Sequence, residues 1–319
     1  MGDVRQRQDE VHPAAGQRRL RTDQPGVAAD ISQLPTAYRH RSATSQSLAA
    51  LIRLAQIGGH RTDRQATSDR RAVRAAEGDD GVVAPLYVAL GDSMSIDLYA
   101  GGPGRGAASL VHRNRDADFP DWLGRDLNSL GYQALDLTYD GATTVGVLDR
   151  QLPRLDRRPD LVTITVGGND LMGAFGDSTA AEAVIRTVVE TGETILGRVA
   201  AAFEGPPRIV VTTVYDPSDG TGAVPGDGLP PWPDGPRLVR VLNEALSALA
   251  SRHGAVVADV HARFLGHGTS AGDPGQPHPR PDNRQLWYCG VIEPNAWGAH
   301  QIRCTWWEAF DQAGWLTSS

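Results

Sequence analysis

Four residues in this 319-residue chain have side-chain types that together carry out acyl transfer from an ester. Ser93 follows a short apolar run and offers a hydroxyl nucleophile. Gly141 and Asn169 follow two later apolar runs and offer a backbone N–H and a side-chain amide, groups that stabilise an oxyanion. His300 lies near the C-terminus and, with an ordinary pKa of about 6.5, is suited to exchange a proton with the serine.

Each of these residues also has a purely structural interpretation. Gly91-Asp92-Ser93 is equally consistent with a turn that caps a helix, because Asp and Ser are favoured N-caps. Gly141 would serve in any strand-to-helix turn, and Asn169-Asp170 would serve as a helix cap. The chain has nine histidines, of which His267 and His278 are rivals to His300 for the role of base.

The elements that must position these residues alternate along the chain from residue 84 onwards. Short β-branched runs alternate with segments of helical spacing, which predicts βαβ units and a parallel sheet covered on both faces. We therefore predict a three-layer α/β/α domain of flavodoxin-like type with a five-stranded parallel sheet. The strands are predicted at 86–90, 133–138, 160–166, 207–215 and 255–260. The helices are predicted at 118–130, 145–155, 179–203, 236–253 and 296–313, and the main loops at 97–116, 216–235 and 266–287.

Composition sets limits on the class of protein. The net charge of -7 argues against nucleic acid as a partner. No apolar run reaches the roughly 18 to 20 residues that span a bilayer, and no signal pattern opens the chain, so we expect a cytoplasmic protein. No His or Cys spacing indicates a metal site and no glycine motif indicates a nucleotide, so no cofactor is expected. Cys289 and Cys304 are equally consistent with a disulfide and with buried thiols. Residues 1–83 are predicted to be a disordered extension of the domain at 84–319.

The order Gly91-Asp92-Ser93, Gly141, Gly167-x-Asn169-Asp170 and a late His300 resembles the GDSL esterase/lipase family, the SGNH hydrolases. The resemblance covers about residues 85–310 and implies a serine hydrolase of small-molecule acyl esters. It implies that Ser93 is the nucleophile and His300 the general base. It also implies an oxyanion hole formed by the N–H groups of Ser93 and Gly141 and the amide of Asn169.

The sequence departs from that family where an Asp usually stands three residues before the histidine, because this chain has Trp297 there. We therefore predict a Ser93–His300 dyad in which the Trp297 carbonyl accepts the His300 Nδ1–H, with Glu293 as the rival acceptor. Carbohydrate deacetylation and acyl transfer would use the same residues, and a non-catalytic ligand-binding domain on this fold is the alternative from another class. Six aromatic residues are candidates for the pocket wall: Tyr99, Tyr215, Trp232, Trp287, Tyr288 and Trp297.

Overall fold

A computed structural model describes residues 84–223, 229–269, 271, 286–289 and 292–316 of the chain. The predicted extension at 1–83 and the candidate base His278 lie outside the described residues. Within the described residues, no helix is long and apolar enough to cross a membrane.

Five strands form one parallel sheet in the order β2-β1-β3-β4-β5. This is the flavodoxin-like order, so the predicted fold class is confirmed. The strands are β1 Leu86–Gly91, β2 Gln133–Asp136, β3 Leu161–Thr165, β4 Ile209–Thr212 and β5 Val256–Ala258. A separate antiparallel pair consists of β6 Tyr288–Cys289 and β7 Glu293–Pro294.

Helices cover both faces of the sheet. They are α1 Ala107–His112, α2 Thr144–Gly146, α3 Gly168–Met172, α4 Ser178–Ala201, α5 Gly235–Arg252, α6 Val260–Phe264 and α7 Ala296–Gln312. A π-helical turn at Val147–Gln151 and a 3₁₀ turn at Leu152–Arg154 continue from α2. On β1, Leu86, Val88 and Leu90 pack against the layer that contains α4 and α5, whereas Tyr87 and Ala89 pack against the layer that contains α1, α6 and α7. The three layers thus follow from the period-two alternation of a strand buried on both sides.

The prediction of a helix over 118–130 is wrong. That stretch contains only two 3₁₀ turns, Pro120–Trp122 and Asn128–Leu130. Gly124 between them has a φ of +74°, which a helix does not allow, and Asp126 accepts the Ser129 N–H at 2.7 Å instead of continuing a helical ladder. The helix on this edge is α1, which lies inside the predicted loop 97–116.

Candidate active site

Ser93 lies just beyond the carboxyl end of β1, as predicted. Gly91, the last residue of the strand, has a φ of +130°, and a Cβ placed on it would lie 2.1 Å from the Thr165 carbonyl oxygen. Only glycine therefore allows the chain to leave the strand at this point. A tight turn follows in which Asp92 Oδ1 accepts the Met94 N–H at 3.1 Å. Ser93 is 6% exposed, and no helix begins at this residue.

A buried side-chain amide fixes the backbone at the end of β1. Gln151 Oε1 accepts the Gly91 N–H at 2.8 Å, and Gln151 Nε2 donates to the Gly91 carbonyl oxygen at 2.8 Å. Gln151 is completely buried. An amide that satisfies both groups of one residue holds that residue in a single position, and Ser93 follows two residues later. Sequence reasoning missed Gln151, because a polar residue inside a predicted helix gives no signal of such a contact.

Asn169 lies beyond the end of β3, in the first turn of α3. Its Nδ2 donates to the Ala142 carbonyl oxygen at 3.0 Å, which fixes the orientation of the amide and leaves its second N–H available. Asp170 reaches the same loop and accepts the Thr144 N–H at 3.0 Å and the Thr144 hydroxyl at 2.7 Å. These bonds bring the Gly141 loop beside Asn169, as the sequence predicted. The Gly141 N–H, however, lies near the carboxyl of its neighbour Asp140 and opposes the rise in the pKa of that carboxyl that burial causes.

Ser93 and Asn169 line one cavity, so the structure brings these two predicted residues together. Most of the other walls are apolar. They come from the residue after Ser93, from α3, from the end of β4 and from the segment before β7: Met94, Leu171, Met172, Val214, Tyr215 and Ile292. The cavity therefore pairs a hydroxyl and an amide with a surface suited to hydrocarbon.

Glu293 is the ionisable side chain that contacts Ser93. The Ser93 hydroxyl lies beside the Glu293 carboxyl and lowers its pKa, and the buried Oε2 atom of that carboxyl has no hydrogen-bond partner. The Glu293 pKa is nevertheless raised to about 8, mainly by burial and in smaller part by the charges of Asp140 and Asp92. The segment is held in place by the β6–β7 pair and by the Tyr215 hydroxyl, which donates to the Ile292 carbonyl oxygen at 2.7 Å.

His300 lies in α7 and does not line the cavity that contains Ser93. Its Nδ1 accepts from Arg303 Nε–H at 3.1 Å, and its Nε2 lies 3.6 Å from Cys304 Sγ. The ring stacks on Phe119 with 4.1 Å between centroids. In the described part of the chain, no hydrogen bond joins His300 to Ser93. The predicted bond from Nδ1–H to the Trp297 carbonyl is wrong, because an Arg303 guanidinium can only donate and Nδ1 must therefore be the acceptor.

The environment of His300 also opposes its protonation. Burial, together with the neighbouring Arg303 and Arg263 cations, lowers the His300 pKa to about 3. Arg303 is itself fully buried and lies over the rings of Phe119 and Trp122. His300 is thus a neutral acceptor for a buried cation and belongs to the contact between α7 and the 118–130 segment.

The remaining predicted residues have mainly packing roles. The Trp297 ring lies 5.3 Å from that of His300 and 6.4 Å from that of Phe119. His267 is buried and stacks on Trp287 at 3.4 Å between centroids. Of the six aromatic residues predicted to line a pocket, only Tyr215 lines this cavity. No disulfide joins Cys289 to Cys304.

A serine after the first strand and an asparagine after the third, on a parallel sheet of order 2-1-3-4-5, define the class of SGNH-type serine hydrolases. The model of the GDSL-like lipase/acylhydrolase family matches residues 89–298, and the chain belongs to that family. The match contains Ser93, Gly141, Asn169 and Glu293, but it ends before His300.

Several solved structures are similar to this chain at low sequence identity. A GDSL-like lipase from Parabacteroides merdae is 14% identical with a TM-score of 0.50, and the match covers 72% of this chain and 96% of that one. The extracellular lipase of Streptomyces rimosus is 21% identical with a TM-score of 0.47, covering 71% and 100%. The psychrotrophic esterase EstA of a Pseudoalteromonas species is 16% identical with a TM-score of 0.44, covering 72% and 97%. No curated protein has a significant sequence match to this chain.

Proposed function

We propose that this protein hydrolyses carboxylic esters of small molecules through an acyl-enzyme intermediate on Ser93. The observation that carries the proposal is the shared cavity, in which the Ser93 hydroxyl and the Asn169 amide meet at the carboxyl ends of β1 and β3. The second N–H of the Asn169 amide is available for the developing oxyanion, and the Ser93 N–H is the second proposed donor. Membership of the GDSL-like lipase/acylhydrolase family supports the same chemistry.

The walls of the cavity favour an acyl group made of hydrocarbon. Met94 and Met172 offer unbranched, flexible apolar contacts that adapt to ligands of different shape, and Ile292 adds a branched apolar side chain. We therefore propose aliphatic esters as the substrate class. Among straight-chain acyl groups, we expect the highest kcat/KM for the chain length that fills this apolar surface.

The test is hydrolysis of p-nitrophenyl esters from acetate to decanoate by the full-length protein, together with labelling by a fluorophosphonate. Ser93→Ala should abolish both turnover and labelling. Ser95→Ala is the matched control, because Ser95 is also buried but its hydroxyl bonds Thr165 Oγ1 at 3.0 Å. If the wild-type protein neither turns over any ester nor becomes labelled at Ser93, the proposal is wrong and the cavity belongs to a non-catalytic binding domain.

A further inference from the structure

The proposed hydrolysis requires a base for Ser93, and among the described residues the expected histidines are not beside it. His300, the residue expected from the sequence, faces Arg303 and Cys304. His267, the second candidate among the described residues, is buried in a stack with Trp287. Neither residue lines the cavity that contains Ser93, whereas Ile292, the residue directly before Glu293, does line it.

We propose that Glu293 is the general base and acid of this enzyme and forms a Ser93–Glu293 dyad. The inference rests on the proposed function and identifies the catalytic partner of the nucleophile. It stands on the closeness of the Ser93 hydroxyl to the Glu293 carboxyl and on the buried Oε2 atom of that carboxyl, which has no hydrogen-bond partner. It also stands on the rigid placement of the Glu293 backbone.

Three contacts provide that placement. Cys289 and Glu293 pair across the β6–β7 ladder. The Tyr215 hydroxyl holds the Ile292 carbonyl at 2.7 Å, directly before Glu293. Two residues after Glu293, Asn295 caps α7 by accepting the Trp297 and Gly298 N–H groups at 3.0 and 2.9 Å. A base whose backbone is held on both sides keeps its distance to the nucleophile, as proton transfer requires.

The electrostatic surroundings suit a carboxyl that moves a proton near neutral pH. The titratable groups that face Glu293 are Asp92 after β1, Asp140 after β2, Tyr215 after β4 and Cys289 on β6. None of them is cationic, so desolvation and like charge both favour the protonated carboxyl, and the Glu293 pKa of about 8 follows. A base works best when its pKa lies close to the operating pH, and burial is the usual way in which a glutamate is adjusted to that range.

In the proposed reaction, Glu293 accepts one proton and returns it in each of the two halves. The ionised carboxylate takes the proton from the Ser93 hydroxyl as Oγ bonds to the acyl carbon, and the carbonyl electron pair moves to the oxygen facing Asn169. When the tetrahedral intermediate collapses, the carbon–alkoxy bond breaks and Glu293 returns the proton to the leaving alcohol. In the second half, Glu293 takes a proton from water as the hydroxide adds to the acyl carbon. Ser93 then leaves with that proton, which regenerates both residues and releases the carboxylic acid.

The test measures kcat/KM from pH 5 to pH 10 for the wild-type protein and for Glu293→Gln, Glu293→His and Glu308→Gln. The wild-type activity should rise with pH and reach half its maximum near pH 8, because only the ionised carboxylate accepts the proton. Glu293→Gln should lose at least about 100-fold at every pH. Glu293→His should be active with its midpoint moved down to about 6.5. Glu308→Gln is the matched control, since Glu308 is an exposed glutamate that pairs with Arg263.

The outcomes separate this inference from the proposed function. An active wild-type protein with Glu293→Gln within a few-fold of it would overturn the dyad and leave Ser93 hydrolysis intact. A Glu293→His profile identical to that of the wild type would assign the titration to another group and would also overturn the dyad. A wild-type protein that is inactive and unlabelled at Ser93 overturns the proposed function itself. Gln matches the neutral carboxyl in shape, so a folded variant is expected, and circular dichroism verifies it.

Discussion

Replacement of His300 tests whether this histidine stabilises the fold or takes part in the chemistry. His300→Asn keeps an acceptor, because Asn Oδ1 occupies about the position of His Nδ1. In the wild-type protein, Arg303 Nε lies 3.1 Å from His300 Nδ1. His300→Leu removes this acceptor, so the Arg303 Nε–H loses its partner. Both variants lose the stack on Phe119. The difference between the two variants therefore isolates the hydrogen bond to the buried cation.

The expected magnitude follows from those contacts. A hydrogen bond to a charged group contributes about 1.5–3 kcal/mol, and a stacked ring pair contributes about 0.5–1.5 kcal/mol. His300→Asn should therefore lower the free energy of unfolding by about 0.5–1.5 kcal/mol, and His300→Leu by about 2–4.5 kcal/mol. Chemical denaturation in urea at pH 7.5 measures both values.

The pH dependence of stability gives an independent check. Because the His300 pKa is lowered to about 3 in the folded state, folding keeps the ring neutral while the unfolded chain protonates it below about 6.5. The stability contributed by the neutral ring is thus present above pH 6.5 and is lost as the pH falls toward 3. Relative to His300→Asn, the wild-type protein should lose about 1.4 kcal/mol for each pH unit below 6.5.

Activity decides between the two roles of His300. Folded His300→Asn and His300→Leu should keep kcat within a few-fold of the wild-type value at a temperature where both are native. General acid–base catalysis contributes about 10²–10⁴-fold, so a loss of that size in a folded variant would refute a structural role for His300.

Two further predictions concern the amides around the site. Gln151→Leu should leave the buried N–H and carbonyl of Gly91 without partners, at about 1–3 kcal/mol each, and should lower the unfolding free energy by about 2–6 kcal/mol in urea denaturation; a variant as stable as the wild type would contradict the clamp. Asn169→Ala should reduce kcat by about 10²–10³-fold with a much smaller change in KM, because the amide binds the oxyanion and not the ground state; an equal loss through KM alone would show that Asn169 only binds substrate.

The sequence predicts the sheet because each strand is a short apolar run between two helical or loop segments. Helix and strand boundaries are harder to predict from the sequence where hydrogen bonds to side chains replace the regular backbone hydrogen bonds of a helix or sheet. The 118–130 segment shows this, since its apolar spacing is helical but Gly124 and Asp126 divide it into turns. Ser93 and Asn169 were predictable for a topological reason: the carboxyl ends of parallel strands meet at one edge of the sheet.

The proposed partner of Ser93, Glu293, was not predictable in that way, because it does not follow a strand of the main sheet. Whether a residue of the C-terminal segment faces the site depends on how α7 is rotated, and burial of Ile302, Trp306 and Phe310 fixes that rotation. His300 then shares a face with Arg303 and Cys304, at i+3 and i+4, and does not line the cavity. Glu293 precedes the cap of α7 and contacts Ser93 across the edge of the sheet. The N-cap Asn295 thus separates the two candidates: Glu293, two residues before it, lies beside the nucleophile, and His300, about one turn inside the helix, is buried against Arg303 and Cys304.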